Sequence, residues 1–152
     1  MNLEKVISGG QTGVDRAGLD AAMAAGIPVG GYCPRGRRAE DGRIPERYPL
    51  TELSSEDYRE RTEMNVMQSD ATLILALGAI SGGTTATIQL AEKHDKPYMI
   101  EALDGDPVPT RVANWLTKHH VRVLNVAGPR ESQHPGLVHT RAEEFLRLVF
   151  GT

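Results

Sequence analysis

Ala71-Thr72-Leu73-Ile74-Leu75-Ala76-Leu77, followed after Gly78-Ala79-Ile80 by Ser81-Gly82-Gly83-Thr84-Thr85, decides the fold. The first segment is apolar on both parities, the pattern of a central strand covered on both faces. The second is a glycine turn opening a run with Ala86, Ile88, Leu90 and Ala91 that reads as a helix to about residue 94. A strand that turns through glycines into a helix offers free backbone N–H groups at the positive end of the helix dipole. That arrangement favours an anion such as phosphate.

Working outward, the same unit recurs on both sides. Lys5-Val6-Ile7 leads through Ser8-Gly9-Gly10-Gln11-Thr12-Gly13 into a helix over 14–25, closed by Gly26. A strand over 121–126 leads through Gly128-Pro129-Arg130-Glu131-Ser132 to a terminal helix that starts at Pro135 or Leu137. Between these lie a short strand over 28–33, a helix over 56–68 capped by Ser54 or Ser55, a strand over 96–100 and a helix over 109–120. Val112, Trp115 and Leu116 form the inner face of that last helix. The alternation of strands and helices implies an α/β, doubly wound Rossmann-like domain. Its sheet is mainly parallel, with about five strands and helices on both faces, and its pocket lies at the carboxyl ends of the strands.

The 152 residues fit a single domain spanning 1–152, with no repeat, linker or low-complexity segment. No apolar run is long enough to span a bilayer, and the first strand begins too early to leave room for a signal peptide, so a cytoplasmic location is expected. Seventeen basic and twenty acidic residues give a net charge of −3, which offers no general attraction to nucleic acid. Anion binding, if present, is local. Cys33 stands alone and reads as a core residue, without disulfide or zinc partners. The histidines, His94, His119, His120, His134 and His139, show no metal-ligand spacing with a carboxylate and read as surface residues, so no metal site is expected.

The first turn has the order Gly-Gly-x-x-Gly, not Gly-x-Gly-x-x-Gly, and no Gly-Lys-Ser or Gly-Lys-Thr occurs. These absences disfavour a nicotinamide dinucleotide site and a Walker phosphate loop. Arg130 and Ser132 are placed to complete an anion site from the last strand. The polar stretch over 34–50 carries Arg35, Arg37, Arg38 and Arg43. They either close over an anionic ligand or pair with Glu40, Asp41 and Glu46.

Four blocks carry a resemblance: residues 58–74 with Ser81-Gly82-Gly83-Thr84-Thr85, the opening 8–17, the loop 31–45 with its Glu40-Asp41-Gly42, and 125–132. Together they resemble the molybdenum cofactor carrier family over nearly the whole chain. More distantly, that family is similar to Lonely-Guy-type phosphoribohydrolases and DprA-like domains. The resemblance implies that Gly9, Gly10, Gln11, Thr12 and Gly13, with Ser81, Gly82, Gly83 and Thr84, line a site for the phosphate of molybdopterin or for a molybdate or phosphate oxyanion. Arg61 matches the arginine of the phosphoribohydrolases. Their motif Pro-Gly-Gly-x-Gly-Thr-x-x-Glu, however, has its glutamate on Gln89 here. An amide does not transfer a proton as a carboxyl does, so binding and carriage with no catalytic residue is the expected function. The alternatives are a nucleotide sensor, or a nucleotide-processing hydrolase in which Arg61 orients the substrate and Asp15, Glu63 or Asp70 replaces the glutamate. Met64, Val66 and Met67, on more than one face of one helix, imply a homodimer or homotetramer.

Overall fold

In this computed structural model, which describes residues 1–80 and 82–151, the first half of the chain runs β1 (Lys5–Ile7), α1 (Val14–Ala24), β2 (Val29–Gly30), β3 (Tyr32–Cys33), β4 (Arg38–Ala39), β5 (Gly42–Arg43) and β6 (Thr51–Glu52). The second half runs α2 (Tyr58–Met67), β7 (Ala71–Ala76), α3 (Gly82–Lys93), β8 (Tyr98–Ala102), α4 (Pro109–Lys118), β9 (Val123–Ala127) and α5 (Val138–Phe150). Ser81, one of the expected site residues, lies outside the described residues.

Five strands form one sheet in the order β2-β1-β9-β7-β8, and every pairing in it is parallel. Every residue of β7 is buried, as its continuous apolar run requires. One face of the sheet meets α1, α4 and α5 through a core that includes Val6, Leu73, Leu75, Leu124, Val126, Val112 and Leu146. The other face carries α2 and α3, whose Val66, Leu90 and Ala91 pack with Tyr98. The chain steps from β1 outward to β2 on one side and from β7 outward to β8 on the other. The winding therefore reverses across β9, and a crevice opens at the carboxyl ends of the strands there.

Three boundaries differ from the sequence reading, each for a local reason. Helix α2 is capped by Asp57, whose carboxylate accepts from the Arg59 N–H at 2.9 Å, while the Ser55 hydroxyl accepts from the Asp57 N–H. The cap therefore falls two residues later than a serine cap would put it. The strand expected over 28–33 breaks at Gly31, where φ is 128° and any Cβ would collide with the Ser8 carbonyl oxygen. Beyond that break β3 leaves the main sheet and pairs with β6. The segment over 34–50 is folded, with an antiparallel β4–β5 hairpin and a small core of Leu19, Cys33, Ala39, Ile44 and Tyr48. Burial pushes the Cys33 thiol pKa up, as expected of a structural cysteine.

Gly13 has φ of 80°, and a Cβ there would overlap the Pro129 carbonyl oxygen. Gly82 has no positive φ and nothing near its Cβ position. Gly13→Ala should therefore cost about 2–4 kcal/mol in urea titrations, and Gly82→Ala should change stability by less than about 1 kcal/mol.

Candidate functional site

Four N–H groups at the first glycine turn have partners within the protein. The Gly10 N–H donates to Ser8 Oγ at 3.4 Å, Gln11 N–H to Asp15 Oδ2 at 3.2 Å, Thr12 N–H to Gln11 Oε1 at 3.1 Å, and Val14 N–H to the Pro129 carbonyl at 3.2 Å. Helix α1 thus begins with a carboxylate already in its first turn, the arrangement its dipole favours. The N–H groups of Gly10, Gln11, Thr12 and Val14 are thus engaged within the protein, where the sequence reading set Gly10, Gln11, Thr12 and Gly13 toward an anion. Gly10 packs on Ile44 and Leu50, and Gly13 packs on Pro129. The Thr12 hydroxyl donates to Glu40 and accepts from the Glu131 N–H.

Glu40 laces this wall together. Its carboxylate accepts from Thr12, from Ser132 N–H at 3.1 Å and from Ser132 Oγ at 2.6 Å, and its own N–H donates to Gln11 Oε1 at 2.8 Å. Against desolvation, the Ser132 and Thr12 hydrogen bonds hold its pKa below the usual carboxylate range. Beside it, Asp41 accepts a two-pronged bond from Arg16 at 2.6 and 2.8 Å. The hairpin tip so ties the first turn to the turn after β9.

In front of this wall is a cavity of about 470 Å³. Of the expected residues, Gly9, Gln11, Arg61, Gly82, Gly83, Thr84, Arg130 and Ser132 line it, whereas Gly10, Thr12 and Gly13 do not. A Cβ at Gly9 would overlap Arg61 Nη1, so the glycine makes room for that guanidinium. Arg61 pairs with Asp15 Oδ2 at 3.0 Å, and the two are nearly buried. Burial raises the Asp15 pKa, with Arg61 opposing the shift. Gly82 and Gly83 open α3 with no positive φ and nothing within 4 Å of either Cβ position. Their contribution is open space at a helix N-terminus, not an unusual backbone conformation.

Two cations on the rim, Arg59 and Arg130, belong to no ion pair among the described residues. The guanidinium carbons of Arg130 and Arg61 lie 5.2 and 5.4 Å from the centre of the Tyr58 ring, which positions both. The Gln11 amide is the remaining feature. Its Nε2 is buried without a partner among the described residues, a cost of about 1–3 kcal/mol for an unsatisfied group.

Several residues go elsewhere. Arg37 is buried and donates to the carbonyls of Ile44, Pro45, Tyr48 and Leu50. Arg38 pairs with Glu56 and Arg43 with Glu46, so neither reaches the cavity. Glu63 is held down at about 2 by His94 and Lys93, and Asp70 accepts from the Arg122 and Val123 N–H groups. Gln89 is exposed on α3 outside the cavity lining. Sequence reasoning missed Tyr58, Arg59 and Asn125 as lining residues. A polar residue inside the apolar run Val123–Ala127 was the one available signal for Asn125.

His139 is also more than a surface residue. Its Nε2 lies 2.7 Å from Asp20, and its Nδ1 lies 3.5 Å from Glu143 one helical turn on. The ligand atoms of these three residues fall within 4.8 Å of one another. Asp20 already accepts from Tyr48 at 2.8 Å and pairs with Arg47, so the cluster is a knot of ion pairs joining α1 to α5.

A doubly wound parallel sheet with a polar, arginine-rimmed cavity at its switch point defines a Rossmann-like α/β protein. More narrowly, the chain belongs to the circularly permutated YpsA SLOG family, whose profile matches residues 6–150. It is similar to the crystal structure of a "Putative molybdenum carrier protein" from Syntrophus aciditrophicus SB, with 43% identity and a TM-score of 0.90, covering 97% of this chain and 94% of that one. No curated protein matches the chain. Among the described residues, no helix is long and apolar enough to cross a membrane.

The hydrogen bond to Asp20 raises the His139 pKa, with burial opposing. The stabilisation is therefore complete below the ordinary histidine pKa of about 6.5 and is lost as pH rises through the raised value. The urea midpoint difference between wild type and His139→Gln should be largest near pH 5.5 and shrink toward pH 9.

Proposed function

We propose that the chain binds and carries a phosphate-bearing small molecule, molybdenum cofactor in its molybdopterin form being favoured, with molybdate or phosphate as simpler occupants. The observation that carries this reading is the convergence of the open α3 N-terminus at Gly82 and Gly83 with Arg59 and Arg130, which form no ion pair among the described residues, on one cavity. Helix N-terminal amides and guanidinium forks are the two commonest protein groups for phosphate. A volume of about 470 Å³ suits a ligand of pterin or nucleotide size. The name of the 43% identical neighbour points toward molybdenum.

The residues present fit such a cargo. The start of α3 would hold the phosphate, and Tyr58 lines the same cavity. The metal comes with the dithiolene of the cofactor. No protein thiolate is needed, and the buried Cys33 is outside the cavity lining. Hydrolysis is less well supported. Of Asp15, Glu63 and Asp70, only Asp15 lines the cavity, and Arg61 and the Gln11 N–H already engage it. A cytoplasmic homodimer or homotetramer completes the reading. Its α2 seat is narrower than the sequence suggests, because Val66 is buried and Met67 is exposed, while Ile80 and Ile100 add apolar surface elsewhere.

Gly83→Asp has room to fold and sets a negative charge at the helix start, so calorimetry with phosphate or molybdate should show affinity falling by about tenfold or more. Arg130→Ala should weaken it by a similar factor. Unchanged affinity in both variants would put the anion site elsewhere. Nucleoside monophosphates should release no free base over hours, and a rapid release abolished by Arg61→Ala would support the hydrolase reading instead. Light scattering at micromolar concentration should exceed the 16.5 kDa of one chain.

A further inference from the structure

The two edges of the main sheet are built differently. β2 is two residues long, and the Val6 and Ser8 N–H groups take the carbonyls of Pro28 and Gly30, so at this edge Val29 is the residue whose N–H and C=O turn outward. Pro28 precedes it and the break at Gly31 follows, which leaves little for another strand to pair with. β8, at the opposite edge, runs for five residues in unbroken register with β7. The Thr72 N–H donates to the Pro97 carbonyl at 3.0 Å and the Leu103 N–H to the Ala76 carbonyl at 2.7 Å, so the odd-numbered residues of this stretch bond to β7. The N–H and C=O groups of Tyr98, Ile100 and Ala102 therefore turn outward. Of these, the Ala102 carbonyl accepts from the Gly105 N–H at 3.3 Å, and the rest have no backbone partner among the described residues. No lysine, proline or bulge interrupts β8, although these are the devices that keep an exposed edge from pairing. Tyr98 packs with Val66, Leu90 and Ala91, and Met99 with the core on the other side, so Tyr98, Ile100 and Ala102 share the α2–α3 face of the sheet. There Ile100 is 39% exposed, and Ala102 is exposed as well.

We propose that β8 pairs antiparallel with β8 of a second copy of this chain about a two-fold axis at Ile100, joining the two five-stranded sheets edge to edge. The inference rests on the homo-oligomer of the proposed function and gives it a seat on the β8 edge instead of on α2. With Ile100 opposite itself, Tyr98 of each copy faces Ala102 of the other, and their outward N–H and C=O groups exchange bonds in pairs. Each contact on the shared face is then matched, a ring beside a methyl group and isoleucine on isoleucine. Continuing the same register brings the Lys96 end of one strand to the Asp104 end of the other. Lys96 forms no ion pair among the described residues, and Asp104 uses Oδ2 for the Gly78 N–H at 3.1 Å and has Oδ1 left over. A two-fold axis requires the antiparallel sense, and the contact closes on itself, since each copy consumes the edge of the other. No residue of β8 lines the cavity, so this surface is separate from the ligand site.

The test is oxidative cross-linking of cysteine reporters on the full chain, read on non-reducing gels beside light scattering of the wild type. The native Cys33 is buried and does not compete. Ile100→Cys should cross-link as a dimer, because residues directly opposite in a hydrogen-bonded antiparallel pair have Cα atoms about 5.5 Å apart, within disulfide reach. Ala102→Cys should not, because residue 102 faces residue 98 and the two copies of 102 are separated by the rise of four residues, roughly 13 Å. Ile100→Lys, checked for folding by circular dichroism, sets two like charges face to face and should move the monomer–dimer midpoint to about tenfold higher protein concentration or more, with phosphate affinity unchanged. A wild-type oligomer in which Ile100→Cys fails to cross-link, in which both reporters cross-link equally, or in which Met67→Cys on α2 cross-links in their place would overturn the β8 seat while leaving the oligomer. A wild-type monomer at micromolar concentration would overturn both.

Discussion

The position of Asp15 in the first turn of α1 governs the rest of the site. A carboxylate there draws the Gln11 N–H and the Arg61 guanidinium onto one oxygen, and so occupies the helix terminus that a ligand anion would otherwise use. The start of α3, by contrast, has open space at Gly82 and Gly83, and Arg59 and Arg130 line the same cavity without forming an ion pair among the described residues. The Asp15–Arg61 ion pair is nearly buried in the cavity wall. The pair is not a strong source of stability, since desolvation of both charges opposes their attraction. Its effect is on where charge is tolerated.

The wall behind Asp15 is held from outside the sheet. Glu40 and Asp41, at the tip of the β4–β5 hairpin, reach back to Thr12, Arg16 and Ser132, which come from two turns that the chain separates by more than a hundred residues. The sheet sets the height of those turns, because β1 and β9 are paired in register from Lys5–Val123 to Ile7–Asn125. The hairpin then fixes their side chains. Cavity shape is therefore a joint product of strand pairing and a cross-linking loop, and neither alone determines it.

Much of the fold was legible in the sequence because its signals are local and periodic. The β7 run, the glycine turns and the alternating helices follow from which residues can be buried and where a backbone can turn. The family resemblance added the expectation of a molybdenum-related cargo and pointed to Arg61, which pairs with Asp15. What escaped were choices between equivalent local partners: Asp57 rather than Ser54 or Ser55 as cap, and a break at Gly31 set by the approach of the Ser8 backbone. Within the site, Gly10 and Gly13 looked like phosphate ligands because a turn that packs on its neighbours has the same composition as a turn that binds an anion. Only the Ser8 hydroxyl that takes the Gly10 N–H, and the packing of Gly13 on Pro129, separate the two cases. His139 escaped because Asp20 is distant in sequence, although Glu143 one turn along α5 was a visible hint.

The interior of the 34–50 segment is organised around a cation. Arg37 spreads three nitrogens over the carbonyls of Ile44, Pro45, Tyr48 and Leu50. All four acceptors are main-chain oxygens, which any amino acid supplies, so the side chains at those positions are free to drift as far as this network is concerned. The donor has no such freedom, because an ammonium radiates from one point and does not span the fan of directions that a guanidinium covers. As far as this network alone decides, the constraint is lopsided, falling on the identity of the hub and not on its accepting rim, where Ile44 and Tyr48 are held instead by the small core.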